Sequence, residues 1–344
     1  MPLKNESDQP ASDRLMFRQP TSDDLPFLES LRSEHVGGVA RPESWWPKTL
    51  FIVERDGKSV AYAGLMPSHS EVLEMELLCV VAPDSRMRRL GHDACMAVLT
   101  WGIARSGRVL ASVKNDNATG LSLARCLGLD ARASRAADET WFIAERDWLL
   151  RVLTFFAFRD QCIWLRICYN TFAALFEHEH RPEDLLSRTA PQFFTDLNHV
   201  LREYCWLQTC RLTDKATSYS PRAKGEVENL TVAHLNALLS KAGRLSKSVS
   251  DAADGMMRYR AFIEPARSGL IAHADKALIL AGASMGTHDA AEVEAFFEHM
   301  QTYCDEVGRA VGVGPSDFRS LPSSGDTWDL VACLRAGLEA ESGS

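Results

Sequence analysis

The sequence predicts two domains: an α/β (α+β) domain with a sheet flanked by helices, followed by an all-α helical bundle. Three observations predict this organisation. The chain has 344 residues, which exceeds the length at which a single hydrophobic core usually keeps growing. Up to about residue 145, strand-like apolar runs alternate with helical stretches. Beyond that point strand signals vanish, and apolar residues recur at intervals of three and four.

The strand-like runs fix the expected boundaries. We expect a flexible tail over residues 1–13, the α/β domain over 14–147, the helical domain over 148–312, and a C-terminal tail with a short helix over 313–344. The predicted strands cover residues 15–19, 51–54, 60–66, 75–81, 109–113 and 140–143.

Helical periodicity dominates the second half of the chain. We predict helices over residues 148–176, 232–242, 246–263 and 328–338. Two apolar stripes indicate further amphipathic helices, and we interpret both stripes as core rather than as a cofactor site. They consist of Phe193, Leu197, Val200, Leu201 and Tyr204, and of Val293, Phe296, Phe297, Met300, Cys304, Val307 and Val311.

The composition indicates a globular protein. It is 46% hydrophobic and 24% charged, with a formal net charge of −8, which argues against indiscriminate coating of nucleic acid. Residues 215–267 nevertheless hold nine basic and five acidic side chains. This local excess is compatible with a basic face and also with a mixed, solvated surface.

The cysteines and the N-terminus point to a reducing compartment. Nine cysteines is an odd number, and no Cys-x-x-Cys pair occurs, so the pattern is a poor disulfide framework. The first residues lack the apolar core of a signal peptide, and no run approaches the roughly 18 apolar residues of a membrane span. We therefore expect a cytoplasmic protein without a membrane partner.

The first candidate site is a buried strand, a loop and a helix within residues 74–101. The free N–H groups at the start of such a helix can hold an anion such as pyrophosphate. Residues 88–93 read Arg-Arg-Leu-Gly-His-Asp and resemble the Gln/Arg-x-x-Gly-x-Gly/Ala motif of the GNAT superfamily of N-acetyltransferases. Residues 115–129, which begin Asn-Asp-Asn and end Leu-Gly-Leu, resemble the second signature of that family.

The resemblance implies a GNAT-like mixed sheet flanked by helices and an acyl-CoA cofactor, such as acetyl-CoA. Two departures weaken the expected binding and catalysis. Asp93 stands where the family has a small residue, and its carboxylate would repel a phosphate. Ala124 stands where the family often has a tyrosine general acid. The cofactor-binding residues that the resemblance implies are Val81, Arg88, Arg89, Leu90, Gly91, His92, Asp93, Ala94 and Asn117.

A GNAT reaction is the attack of an amine on a thioester, which requires a base for the ammonium group. Glu74 and Glu76 lie on the strand before the phosphate loop and are the candidates for that base. They are equally well interpreted as strand-edge charges that face solvent. We interpret His92 as a loop surface residue rather than as a catalyst.

The second candidate site is an arginine and a histidine in the helical half. Arg267 and His273 are six residues apart, which on an unbroken helix corresponds to a turn of about 600°. A break near Gly269, or a second copy of the chain, would bring them together. The pair resembles the Arg-x(4–6)-His motif of HEPN-domain ribonucleases, and residues 204–214 and 228–231 resemble the abortive-infection U-type (AbiU-like) branch of that superfamily.

This resemblance implies RNA cleavage without a metal. His273 would act as acid or base, Arg267 would stabilise the charge on the phosphate, and Ser268 would assist. Ser268 departs from the asparagine, aspartate or histidine that is commoner there. The resemblance also implies a homodimer. In the alternative interpretation, Arg267 pairs with Glu264 or Asp275 and His273 is a half-buried helix residue.

Three functional hypotheses remain open. The first is a toxin or phage-defence protein in which a GNAT-like acyltransferase domain is fused to a HEPN ribonuclease. The second is an ordinary N-acetyltransferase whose helical domain only dimerises or recruits substrate. The third is a catalytically decayed binding or sensor module. We predict no metal, because His178 and His180 are two positions apart on a helix and point in divergent directions.

Overall fold

The computed structural model describes residues 8–31, 48–68, 75–86, 89–133, 137–177, 183–266, 280, 289–315 and 325–342. By its contacts the chain divides into two units. The first consists of Met1–Leu153 and Val311–Gly314, and the second of Thr154–Ala310 and Pro315–Ser344.

The first unit is built on a seven-stranded mixed sheet. Its strands are β1 (Met16–Arg18), β2 (Leu50–Arg55), β3 (Lys58–Pro67), β4 (Met75–Val81), β5 (Arg108–Lys114), β6 (Asp130–Ala133) and β7 (Glu139–Glu145). Their order is β1-β2-β3-β4-β5-β7-β6. Only the β4–β5 pair is parallel within this sheet of described strands. The predicted mixed sheet is thereby confirmed.

Six of these strands match the predicted runs, and β6 was missed. Every residue of β6 is exposed, so it lacks the buried face that produces an apolar pattern. The tail predicted over residues 1–13 is described from residue 8 onward, and Pro10 within it is buried.

Helices cover the sheet of the first unit. They are α1 (Leu25–Ser30), α2 (Leu90–Ser106) and α3 (Ala118–Cys126), and a longer helix, α4 (Arg146–Phe176), begins directly after β7. The apolar helix α2 packs on β3, β4 and β5. Its Trp101 meets Phe51 of β2 edge to face, with ring centroids 5.4 Å apart. This packing holds the start of α2 at the end of β4.

The second unit is helical, as predicted, with one hairpin. It continues α4 and adds α5 (Glu183–Thr189), α6 (Pro191–Leu212), α7 (Val232–Lys241), α8 (Lys247–Ala266), α9 (Ala290–Val311) and α10 (Thr327–Ser342). Strands β8 (Thr217–Ser220) and β9 (Gly225–Glu228) pair between α6 and α7. The expectation that strands end near residue 145 is wrong here, because this short polar hairpin has no apolar alternation. No helix in the described ranges is long and apolar enough to cross a membrane.

The two predicted apolar stripes have different outcomes. The stripe on α9 is buried, as predicted. The stripe on α6 is not a core face, because Phe193 is 60% exposed and Val200 is 62% exposed. Phe194 is buried instead. The helix is therefore rotated relative to the predicted stripe.

An ion pair closes one end of the first sheet. Arg18 on β1 donates to both carboxylate oxygens of Asp24, at 2.6 and 2.7 Å, and to Glu54 on β2 at 2.7 Å. Asp24 is 6% exposed and also accepts from the backbone N–H of Thr21. The hydrogen bonds from Arg18 hold the pKa of Asp24 below its usual value, although burial opposes this. The pair ties the turn before α1 to two strands.

Replacing Asp24 with asparagine (Asp24→Asn) should lower the free energy of unfolding at pH 7 by about 1–3 kcal/mol, because Arg18 loses a charged partner. A lowered pKa stabilises the fold above the pKa of an unfolded aspartate, about 3.9, and this stabilisation is lost as the pH falls through the lower folded value. The difference between wild type and variant should therefore shrink in acid. Urea denaturation at a series of pH values measures it.

The matched control is Asp56→Asn. The Asp56 side chain is 89% exposed and lies 3.6 Å from Arg55, so this change should alter stability by no more than about 0.5 kcal/mol. An Asp24→Asn effect that is equally small, or that does not depend on pH, would contradict the structural role of the ion pair.

Candidate functional site

The first candidate site lies where β4 ends and α2 begins. Val81 ends β4, a 3-10 turn covers Pro83–Ser85, and Arg89 precedes α2 in the left-handed region at φ 61°. A Cβ on Gly91 would lie 3.2 Å from Cγ2 of Val81, so the helix approaches the strand closely at this glycine. Because the first N–H groups of a helix have no partner inside it, such a junction can hold an anion.

The two central strands separate beside this junction. β4 pairs with β3 along its whole length, from Met75 to Val81. With β5 it shares a single register pair, Glu76 with Leu110, near the start of both strands. The C-terminal ends of β4 and β5 therefore leave an opening in the sheet. Glu76, a candidate base, is half-buried at the closed end of that opening.

Several predicted cofactor residues serve the packing of the helices. Leu90 and Ala94 are buried in α2. Asn117 caps α3, where its side-chain oxygen accepts a hydrogen bond from the N–H of Gly120 at 2.9 Å, and Ala124 is buried in the same helix. The other predicted positions at this site, Arg88 and Glu74, lie outside the described residues.

The side chains around the start of α2 bind residues 311–314 of the chain. Nε2 of His92 lies 2.6 Å from the carbonyl oxygen of Gly312, and Nη2 of Arg89 donates to the carbonyl oxygen of Val313 at 3.0 Å. The sequence did not predict this contact, which joins positions more than 200 residues apart. The interpretation of His92 as a loop surface residue is wrong, because His92 is helical and its side chain is only 13% exposed.

As arranged here, these residues do not fit the pyrophosphate of an acyl-CoA. The described cationic or imidazole side chains at the junction are Arg86, Arg89 and His92, and each hydrogen-bonds a peptide carbonyl, of Val81, Val313 and Gly312 respectively. Asp93 lies in the first turn of α2, with a carboxylate oxygen 3.4 Å from Nδ1 of His92. Its negative charge stands at the helix end that would otherwise attract phosphate.

The second candidate site begins where the described part of α8 ends. Arg267, Ser268 and His273 lie outside the described residues, as does Asp275. Helix α8 ends at Ala266, directly before this segment. The described contacts therefore concern α8, the helix that precedes the Arg267–His273 segment.

Arg260 fixes α8 to the end of α6. Its guanidinium donates to the carbonyl oxygen of Thr213, to Asp214 at 2.7 Å, and to both carboxylate oxygens of Glu264, at 3.1 and 3.2 Å. Burial of Arg260 opposes its charge, but the hydrogen bonds to Glu264 and Asp214 raise the pKa of the guanidinium above its usual value. The Glu264 carboxylate, which the sequence offered as a partner of Arg267, binds Arg260.

The two segments that resemble the AbiU-like branch, residues 204–214 and 228–231, form hydrogen bonds at the end of α6 and the start of α7. Thr213 is buried and donates to the carbonyl oxygen of Thr209 at 2.7 Å. Asn229 donates from its side chain to Lys215 O at 3.0 Å, across the β8–β9 hairpin. Thr231 caps α7 by accepting from the N–H of His234. Sequence analysis missed Arg260, although its spacing of four from Glu264 is a recognisable helix-pair signal.

A pocket opens into the aromatic core of the second unit. Tyr169 stacks on Phe297 with ring centroids 4.5 Å apart, and its hydroxyl donates to Glu177 at 3.0 Å. Arg202 lies at the same pocket. The remaining aromatic side chains in its wall are Phe172, Trp206, Tyr259 and Phe296.

Metal ligands were expected to be absent. The His178–His180 pair lies outside the described residues. Within the described part of the chain, no group of three or more histidine, cysteine or acidic side chains is placed to hold a metal ion.

Comparison with known families identifies the second half of the chain. The profile of the AbiU2 family (HEPN_AbiU2) matches residues 154–329, which include Arg267 and His273. Among curated proteins, no sequence matches the chain.

Solved acetyltransferases are similar to the first part of the chain. An acetyltransferase from Agrobacterium tumefaciens str. C58 is 16% identical, with a TM-score of 0.34, over 40% of this chain and 94% of its own. A putative GnaT-family acetyltransferase from Bordetella pertussis is 16% identical, with a TM-score of 0.32, over 40% and 99%. Mutant forms of the spermidine/spermine N-acetyltransferase SpeG from Vibrio cholerae are 14% identical, with a TM-score of 0.34, over 40% and 98%.

Removing the Arg260 guanidinium (Arg260→Ala) should lower the free energy of unfolding of the helical unit by about 1–3 kcal/mol, because it leaves Asp214 and the Thr213 carbonyl without this charged donor. Urea denaturation followed by circular dichroism at 222 nm, where helices dominate the signal, measures the loss.

Arg258→Ala is the matched control on the same helix. Arg258 is exposed, and its contact with His299 is 3.4 Å long, so this change should cost no more than about 0.5 kcal/mol. Equal losses in the two variants would contradict a specific role for Arg260.

Proposed function

The chain belongs to the AbiU2 family of HEPN proteins, and from that premise we propose that its helical unit is a metal-independent endoribonuclease. The observation that carries the proposal is the match over residues 154–329, which spans both Arg267 and His273. The chemistry of the two side chains supports it. An imidazole can move the proton of an RNA 2′-hydroxyl, and a guanidinium can stabilise the charge that develops on the phosphate.

In the proposed mechanism His273 takes or returns the proton and Arg267 binds the phosphate oxygens through its planar fork of donors. Ser268 assists as a hydrogen-bond donor or acceptor. The contacts of Arg260 with Asp214 and Glu264 hold α8, the helix after which this segment begins. A stable α8 would limit the positions that Arg267 can adopt.

The proposed biological role is that of a toxin or phage-defence protein that cleaves RNA. A homodimer formed through the helical unit is part of this proposal. Exposed apolar side chains on α4 and α6, including Trp164 at 54% exposure and Phe193, would suit such an interface. Trp164 and Tyr204 already join the two helices, because Nε1 of Trp164 donates to the Tyr204 hydroxyl at 2.8 Å.

Purified protein should cleave total RNA in the presence of EDTA, and Arg267→Ala and His273→Ala should each slow cleavage by about 100-fold or more, as expected when a general acid–base group or a charge-stabilising donor is lost. Gel electrophoresis of the RNA over time measures the rates.

Arg258→Ala is the control, because it removes an exposed arginine of α8 and should retain full cleavage. Cleavage that persists in both the Arg267 and the His273 variants would refute the assignment. Light scattering on the same samples should give the mass of a dimer, and a fully active monomer would remove the homodimer from the proposal.

The second candidate function is binding of an acyl-CoA by the first unit, with acyl transfer to an amine. The opening between β4 and β5, beside a close helix–strand junction, favours it. Glu76 and Glu74 remain the proposed bases. Because Arg89 and His92 hydrogen-bond the backbone of residues 312 and 313, this function requires a different arrangement of that segment.

Asp93→Asn removes a negative charge from the first turn of α2 without changing the shape of the side chain. If the first unit binds acyl-CoA, this variant should bind acetyl-CoA about two- to five-fold more tightly than wild type, the range expected for one charge at a helix end. Calorimetric titration measures it, with Asp56→Asn as the control. Unchanged affinity would contradict a repulsive role for Asp93.

A further inference from the structure

The start of α2 binds a segment of its own chain through two donor side chains. His92 and Arg89 contact the carbonyl oxygens of Gly312 and Val313, at 2.6 and 3.0 Å. A carbonyl oxygen can only accept, so Nε2 of His92 and Nη2 of Arg89 act as donors in both contacts. These are side chains that could also donate to a phosphate group at this junction.

The segment approaches so closely that it requires glycine. Gly312 has φ of +85°, and a Cβ at this position would lie 2.2 Å from the carbonyl carbon and oxygen of Leu127. Both the backbone conformation and the space exclude a side chain. A Cβ on Gly314 would likewise lie 2.5 Å from Nη2 of Arg89. The contact is therefore a specific backbone-to-backbone fit at Gly312, with a second close approach at Gly314.

The Nε2 donor of His92 cannot serve two ligands at once. Nε2 of His92 carries one proton, and that proton is directed at the Gly312 carbonyl. Arg89 has five N–H donors and can contact both ligands, but a pyrophosphate bound to Nε2 of His92 would have to replace the Gly312 carbonyl. The 311–314 segment is a stretch of backbone without net charge, so a dianionic ligand would interact more strongly with the same donors.

We propose that the 311–314 segment and the pyrophosphate of an acyl-CoA compete for Nε2 of His92, beside Arg89, so that the docked segment keeps the first unit closed to the cofactor. The proposal rests on the acyl-CoA site proposed above as the second candidate function. It adds that the site opens only when Gly312 and Val313 leave the start of α2. Because the residues that flank the segment in sequence belong to the second unit, its release is a means by which ligand binding could be regulated.

The variant Gly312→Ala tests the competition in the full-length protein. It should displace the segment, because a methyl group would overlap the Leu127 backbone. Calorimetric titration with acetyl-CoA should then give a dissociation constant at least about ten-fold lower than that of wild type. Adding Arg89→Ala to Gly312→Ala should abolish this gain, because it removes a donor that both ligands use.

Gly243→Ala is the matched control. Gly243 also has a positive φ, +65°, but a Cβ there would meet nothing within 4 Å. This variant carries similar backbone strain without the clash and should bind acetyl-CoA as wild type does. An equal gain in the control would overturn the proposal.

Hydrogen exchange on the wild-type protein tests the same idea without a substitution at Gly312. Saturation with acetyl-CoA should increase amide exchange in the peptide that contains residues 311–314, and exchange that stays unchanged on saturation would overturn the competition. Equal affinity in wild type and Gly312→Ala would refute the competition but leave the acyl-CoA site intact. If neither protein binds acetyl-CoA at millimolar concentration, the acyl-CoA site itself fails and the competition fails with it, whereas RNA cleavage is unaffected.

Discussion

The backbone of Leu127 is the point at which three parts of the first unit meet. Leu127 follows α3, its carbonyl oxygen accepts a hydrogen bond from Nε1 of Trp148 on α4 at 2.9 Å, and its backbone leaves no room for a side chain on Gly312. Because a glycine with positive φ is needed there, the position of the 311–314 segment is tightly constrained. The hydrogen bond of His92 to Gly312 follows from this fit.

Both units use one arginine to anchor the end of a helix. Arg18 binds Asp24 and Glu54 in the first unit, and Arg260 binds Asp214 and Glu264 in the second. The guanidinium suits this task because its planar group of donors can satisfy several acceptors while remaining charged. In each case one carboxylate lies close in sequence and the other more than 30 residues away, so a local helix or turn becomes tied to a distant element.

The two proposed activities depend on different features of the chain. The ribonuclease proposal depends on Arg267 and His273, which lie within the match to the AbiU2 family over residues 154–329. The described contacts of Arg260 stabilise α8, the helix that precedes these two residues. The acyl-CoA proposal depends on a strand opening and a helix start that are present, together with donors that are engaged elsewhere. In this proposal the donor at the start of α2, rather than the opening in the sheet, limits access of the cofactor.

Short-range patterns in the amino-acid sequence were enough to predict a sheet flanked by helices, the change to helices and the buried face of α9, whereas the mixed strand directions were expected from the resemblance alone. Burial on one face repeats with the period of the strand or helix, so it is visible in neighbouring residues. The exposed strand β6 and the polar β8–β9 hairpin carry no such signal, and the buried face of α6 depends on the helices that pack against it. The partners Arg260–Asp214 and His92–Gly312 became evident only in the folded chain, because contacts between residues 46 and 220 positions apart follow from packing and leave no period in the sequence.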